Sequence, residues 1–449
     1  MLLLSYVGLF LVQAFWPSIH LKYAMGLAAL AVSVFNFTAS RLATRLVSIC
    51  LLGIGGYLLL SYHVTPAGWG NAATHNAPLL SLVLTVPLLS SILAFEPYPQ
   101  HLTRVTERLM TSPFRLYAIA SLMITFLSSL LNLASLHFVH HLLRPAATRC
   151  PASLLPRALV RGFTPNVMWS PSFISVALAL QYAGISWFTL APLGISLALA
   201  GIVCSLTLAW FEYGSLPNFN TEPSVTTKHP AEIRDAQKGL FKLLCQTGLL
   251  ISMIILLEYS TNKSALVLVP LISLTAPAFL ARIYGKTAVY KLQFREYLCK
   301  TLSRMHNETL LFSAIGFFGY ALASSDFPAQ IPLLVSRFGL DTPVKLIVLI
   351  IGLISLLSML GIHPMITIAA VAASLPPGSI PLSGRELAGA FLTGYMVYGI
   401  CSPFSAINLM MSSLTKQNPL VTGLRQNLAF ALLYAALSVG IILQLFVPY

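Results

Sequence analysis

Long apolar runs separated by short polar turns dominate this chain. A helix needs about 17–25 apolar residues to cross a bilayer. On that basis spans are predicted at 2–16, 21–39, 46–63, 78–95, 116–143, 157–186, 187–211, 240–259, 264–283, 309–324, 343–375, 386–413 and 422–447. Two of these, 116–143 and 343–375, are too long for one simple crossing. The first has a polar break at Asn132, the second around Gly361, His363 and Pro364. Two others are apolar but interrupted: 161–178 reads RGFTPNVMWSPSFISVAL, and 389–410 reads GAFLTGYMVYGICSPFSAINLM. Unwound backbone at membrane depth leaves N–H and C=O groups unpaired at several kcal/mol each, so it persists only where protein covers it or where it lines a cavity. Two broken segments in matching positions of two halves point to a transporter binding site.

Charge sets the direction of each run. Basic loops at 41–45, 104–115, 228–242 and 282–304 are predicted to be cytoplasmic, and the loop 64–77, without Lys or Arg, to be outside. Arg115 precedes 116–143, and Arg144, Arg149 and Arg157 follow it. Both flanks stay inside only if 116–143 enters and returns as a re-entrant hairpin. The same argument makes 343–375 a hairpin from the outer side. All 26 basic residues then lie inside except Lys22, Lys263, Arg337, Lys345 and Arg385. The predicted fold is an all-α, polytopic integral membrane protein of the inner (plasma) membrane, with the N-terminus cytoplasmic. It has about 11 transmembrane helices plus two re-entrant hairpins.

The hairpin, broken span and final span recur in the same order with opposite orientation, an inverted-topology repeat. Residues 1–45 form N-terminal transmembrane helices, 46–212 the first repeat, 213–263 a cytoplasmic linker and connecting helix, and 264–449 the second repeat. Short textual matches agree: FLSSLLNLASL with LISLLSMLGIHPM, and WSPSF with CSPFS. The basic stretches 96–115 and 285–308 are read as amphipathic helices in the cytoplasmic interface.

Composition fits this picture. The 449 residues are 57% hydrophobic and 8% charged, with mean hydropathy +0.82, where soluble domains carry about 25% charged residues. The net charge of +14 is assigned to cytoplasmic loops meeting anionic membrane lipids, and no nucleic-acid partner is predicted. Cys50, Cys150, Cys204, Cys245, Cys299 and Cys401 stand singly, so no metal site is predicted from them. The run 2–16 lacks a basic n-region and a cleavage site and is read as a retained helix.

The candidate chemistry lies at the breaks. A helix that ends at mid-membrane offers partial positive charge at an N-terminus and free carbonyls at a C-terminus. The N–H groups can hold an anion, and carbonyls with hydroxyls can replace the water shell of Na⁺. Ser170, Pro171 and Ser172, with Ser402, Pro403 and Ser405, are the central candidates, and Asn132 and Asn408 add amides. Thr164 and Asn166 in the first broken span, Ser128 and Ser129 at the first hairpin tip, and Ser358, Gly361, His363 and Pro364 at the second complete the set. The competing reading is that the Ser-Pro pairs merely kink packed helices. His363 is either a proton relay or a structural histidine, and His137, His140 and His141 carry no assigned metal. Arg161 either draws an anionic substrate or snorkels to the interface. No Asp or Glu falls in mid-span: Glu212, Glu258 and Glu386 lie at ends, and Asp326 and Asp341 in an outer loop. That pattern speaks against a proton-driven cation pump. No P-loop motif is present, and no convergent nucleophile, base or metal set suggests an enzyme.

In this order of elements, over 46–212 and 264–447, the chain resembles the ion transporter superfamily: divalent-anion/sodium symporters, arsenite and citrate permeases, and the large membrane subunit of tripartite substrate-binding-protein transporters. The first tip, Ser128-Ser129-Leu-Leu-Asn132-Leu-Ala-Ser135, is similar to the Ser-Asn-Thr tips of that group. The second, Ser358…Gly361-Ile-His363-Pro364, puts His-Pro where Asn-Thr is usual. The resemblance implies a secondary active permease for a small anion, a carboxylate above all. It would work by alternating access on a Na⁺ or proton gradient, as a homodimer, with no cofactor beyond Na⁺ as a candidate coupling ion. The alternative expectation is a membrane-embedded subunit of an envelope polymer or lipid assembly or export system.

Overall fold

The computed structural model describes residues 2–95, 110–219, 230–340, 342–375 and 380–444. Among them the chain is helical throughout, with no strand. The helices are α1 (Leu2–Phe15), α2 (Ile19–Ala39), α3 (Leu42–Ser61), α4 (Pro66–Thr74) and α5 (Ala77–Thr85), continued by a 3₁₀ segment Val86–Phe95. Next come α6 (Pro113–Leu131), α7 (Ala134–Ala147), α8 (Leu154–Trp169), α9 (Ile174–Ala183) and α10 (Trp187–Tyr213). The second part has α11 (Pro230–Thr261), α12 (Ala265–Ile283), α13 (Thr287–Glu296), α14 (His306–Ala323), α15 (Phe327–Arg337), α16 (Pro343–Met359) and α17 (Pro364–Ser374). It closes with α18 (Gly384–Cys401), α19 (Ala406–Thr415) and α20 (Gln426–Gln444).

Local chemistry sets many of these ends. Proline opens α6, α16 and α17, where its missing N–H costs nothing. Ser383 and Glu386 form a capping box at the start of α18. Gly184, at φ +65, stops α9 in the left-handed region.

Seven stretches among the described residues are long and apolar enough to cross a membrane: Ile19–Ala39, Leu42–Ser61, Pro66–Phe95, Trp187–Tyr213, Ala265–Ile283, Gly384–Thr415 and Val421–Gln444. The pair α14 and α15, bent by 67°, would make an eighth. These match seven of the expected spans. The expected runs at 2–16, 116–143, 240–259 and 343–375 hold shorter apolar helices, because proline or a polar break divides them or the apolar part is short, and the expected broken span 157–186 holds α8 and α9, which are not among the stretches long and apolar enough to cross. Three details differ from the sequence reading. The loop 64–77 contains helix α4, the expected polar linker ends early because α11 is already helical from Pro230, and the outer loop after α14 holds α15. Of the two expected interfacial helices, 285–308 contains α13 and the turns after it, and 96–109 of the other lies outside the described residues.

The broken segments sit at the centre. In Gly384–Thr415 the most apolar stretch is 72% buried, against 22% in Ile19–Ala39. Helix α8 packs on α6 and α10, and α18 packs on α16 and α20. Across the molecule α8 meets α18, α9 meets α17 and α18, α19 meets α7 and α8, and α10 meets α20. Outside this centre α3 packs on α14, and α12 packs on α5 and the 3₁₀ segment. Two glycines allow the closest approaches. A Cβ on Gly162 of α8 would lie 2.5 Å from the Ser121 carbonyl oxygen of α6, and one on Gly394 of α18 would lie 2.8 Å from Ile354 Cβ of α16. The two glycines stand at the same distance ahead of Ser170 and Ser402.

Candidate functional site

Helices α8 and α18 both stop at a serine that precedes a proline. The proline ring pushes the residue before it out of the helical region. Ser170 accordingly has φ −72° and ψ 122°, and Ser402 has φ −68° and ψ 129°. Each then closes a tight turn with proline at its second position: the Phe173 N–H donates to the Ser170 carbonyl at 3.0 Å, and the Ser405 N–H to the Ser402 carbonyl at 3.1 Å. The helix resumes as α9 in one case and α19 in the other.

Each break docks on the helical hairpin that precedes it in the chain. The Ser172 hydroxyl donates to the Ser129 carbonyl at 3.2 Å, and the Ser402 hydroxyl donates to the Ser358 carbonyl at 2.8 Å. Both carbonyls lie in the last turn of the first hairpin arm, where a helix leaves its final C=O groups without an intrahelical partner, and the Ser358 carbonyl also accepts from the Gly361 N–H at 3.2 Å. Asn132 sits at the turn itself with φ +49°, a conformation that asparagine tolerates. At the second tip Gly361 supplies φ +91°. His363 is the N-cap of α17: its Nδ1 accepts from the Met365 N–H at 3.3 Å, and its ring lies 5.9 Å from that of Tyr398 on α18. Pro364 is the first residue of that helix.

Two asparagines complete the two clusters. Asn166 Nδ2 donates to Ser128 Oγ at 2.6 Å and also to the Thr125 carbonyl, tying α8 to the first tip. Asn408 Nδ2 donates to the carbonyls of Ile400 at 2.8 Å and Ser402 at 3.0 Å, so α19 reaches back and covers the frayed end of α18. Both side chains are buried, and in both the amide oxygen Oδ1 has no hydrogen-bond partner. Ser405 Oγ donates to the Gly399 carbonyl at 2.9 Å. Ser129 and Ser358 hydroxyls bond carbonyls of their own helices, as does Thr164 with Val160. Thr164 is therefore turned into the helix rather than toward the breaks.

A cavity of about 30 Å³ opens at the first break. Ser129, Ser170, Pro171 and Ser172 line one side, and Thr247, Leu250, Ile251 and Ile254 of α11 the other. That volume matches one water or one small cation. Among the described hydrogen bonds none joins the first cluster to the second. Their connection is helical: α9 leaves the first break to pack on α18 and α17, and α19 leaves the second to pack on α8 and α7.

Arg161 departs from one of its two expected roles. The residue is 1% exposed, so it does not snorkel. Nε donates to Asn427 Oδ1 at 3.0 Å, and Nη2 donates to the Gln426 carbonyl at 3.1 Å and lies 3.4 Å from Glu212 Oε1. The guanidinium also stands 5.3 Å from the centre of the Phe430 ring. It is a polar crosslink between α8 and the start of α20, enclosed by protein. Sequence reasoning missed Asn427, and it missed Trp187, whose indole N–H donates at 2.9 Å to the Trp169 carbonyl just before the first break. An asparagine or a tryptophan at the start of a span is too common to be singled out by pattern.

No protein-family model matches the chain, and no curated protein matches it.

Proposed function

We propose that this chain is a secondary active transporter that moves a small anion by alternating access, coupled to a cation gradient. The observation that carries the reading is the pair of breaks. Ser170–Phe173 and Ser402–Ser405 form the same turn, each hydroxyl-bonded to its own hairpin tip, and the helices that leave them pack across one another. Contacts exchange between the halves: α9 with α17 is answered by α19 with α7, α6 with α8 by α16 with α18, and α3 with α14 by α12 with α5. That exchange supports an inverted repeat in which 113–213 and 343–444 are equivalent, and it supports the resemblance to the ion transporter superfamily.

The chemistry follows from the exposed groups. Each cluster presents one orphan buried amide oxygen, on Asn166 and on Asn408, beside serine hydroxyls and carbonyls at a helix end. Such oxygens suit a hard cation, and the N-termini of α9 and α19 suit an anionic group without a lysine or arginine. A small carboxylate is the substrate class that fits both. The chain would act within the inner membrane, as the sequence's charge pattern implies.

The test is flux into proteoliposomes with imposed Na⁺ or pH gradients and a panel of mono- and dicarboxylates. Gradient-driven uptake of at least one anion is expected, and it should be lost in S170A, S402A and N132A proteins that remain folded. Uptake unaffected by all three substitutions, or no gradient-driven uptake at all, would remove the proposal.

A further inference from the structure

The sequence places Glu258 at the end of a span, but the structure buries it. It lies one turn before the end of α11 and is only 6% exposed. Oε1 accepts from the Trp187 backbone N–H at 3.3 Å, and the Ala265 backbone N–H also serves the carboxyl. Those two residues open α10 and α12, so one carboxyl caps two helix N-termini. Oε2 is buried without a partner. Burial and the two backbone N–H donors bear on its charge in opposite directions. The nearest cation in sequence, Lys263, stands 5.9 Å from the centre of the Phe15 ring.

The two surroundings oppose each other. Positive helix ends favour the charged carboxylate, and an orphan oxygen away from water favours the neutral acid. The group also connects with the first break by two routes. Trp187, which it holds by the backbone, holds the Trp169 carbonyl by its indole. On its own helix, Ile254, Ile251, Leu250 and Thr247 continue the face from Glu258 to the cavity at Ser170–Ser172.

We propose that Glu258 is the proton-binding site of this protein, and that its protonation releases α10 and α11 from one another and opens the cavity at the first break. This rests on the transporter reading for its purpose, and it names the proton as the coupling ion. The proton passes from bulk water to Oε2, cancelling one negative charge and turning the orphan acceptor into a donor. It returns to water when the carboxylate docks again on Trp187 and Ala265. The exposed residues Ser260, Thr261 and Asn262 at the end of the helix give the proton its route.

The test needs no substrate. In protein whose native cysteines are replaced, Ile251→Cys reports on the cavity through its rate of reaction with a small methanethiosulfonate reagent in proteoliposomes. The rate is divided at each pH by that of a free thiol in water, because only the thiolate reacts. Lowering the pH from about 8 to about 5 should raise this ratio by about fivefold or more, as a shifted open population requires. With Glu258→Gln added, the ratio should stay at its high value across the range. A ratio that does not change with pH, or that changes equally in the Gln variant, overturns the proposal. Infrared difference spectra of the unmodified chain against Glu258→Asp cover the case of a Gln variant that does not fold. A pH-dependent carboxyl band that moves in the Asp variant is expected, and a band that does not move overturns the proposal. A chain that titrates as expected but transports no anion would count against the transporter reading alone.

Discussion

Arg161 and Asn427 lie 266 residues apart and meet at 3.0 Å in the interior, the guanidinium Nε donating to the amide oxygen. The bond joins the first broken helix to the start of the last helix, and the Gln426 carbonyl and Glu212 share the same guanidinium. A buried charge held by neutral acceptors and one half-buried carboxylate depends on every partner, because removing one side leaves the others unpaired. Arg161→Ala should therefore destabilise the protein by about 3 kcal/mol. Thermal unfolding in detergent measures this. A double-mutant cycle with Asn427→Ala should show a coupling of about 1 kcal/mol, and additive effects would show that the two residues act independently.

The bonds between breaks and hairpin tips make a paired prediction. Ser172→Ala and Ser402→Ala each remove one hydroxyl donor to a tip carbonyl, Ser129 or Ser358, and the Ser358 carbonyl keeps the Gly361 N–H at 3.2 Å. Each should cost about 1–2 kcal/mol. Ser172 is the third residue of its turn and Ser402 the first of its own, so the two hydroxyls reach their tips from different positions at 3.2 and 2.8 Å. Unchanged melting in both variants would show that these bonds do not hold the breaks to the tips.

Gly162 and Gly394 are tested by adding a methyl group. In Gly162→Ala the new Cβ meets the Ser121 backbone and Ile124, and backbone cannot swing aside. In Gly394→Ala it meets the Ile354 side chain. Overpacking of this kind costs about 1–3 kcal/mol, and Gly162→Ala should stand at the upper end because its neighbour is main chain. Equal recovery of folded protein and unchanged melting for both variants would refute the close packing.

His363 caps a helix, and asparagine can do the same with its side-chain oxygen. His363→Asn should keep stability within about 0.5 kcal/mol of the parent, and His363→Ala should lose about 1 kcal/mol. Transport, once a substrate is found, should survive the Asn variant. Loss of activity with stability intact would return the residue to the role of proton relay.

The sequence by itself carries the class of the protein and the position of its breaks. Apolar length determines that helices cross lipid, because no other element satisfies its own backbone there. Ser170-Pro171 and Ser402-Pro403 determine where two of them stop, because proline acts on the residue before it through local sterics. The turn at Asn132 was legible for a different local reason: a polar residue in the middle of an over-long apolar run.

Tertiary structure alone decided which groups those breaks face. Arg161 reads first as an interface charge, with substrate attraction as the other reading, until Asn427 is seen beside it, and Glu258 reads as a span end until the N-termini of α10 and α12 are seen closing on it. Asn166 and Asn408 were legible as amides, but only packing shows their nitrogens engaged and their oxygens free. Local rules act through neighbours in the chain, and so they appear in the sequence. Partners hundreds of residues away are chosen by how helices pack, and a linear pattern holds no record of that choice.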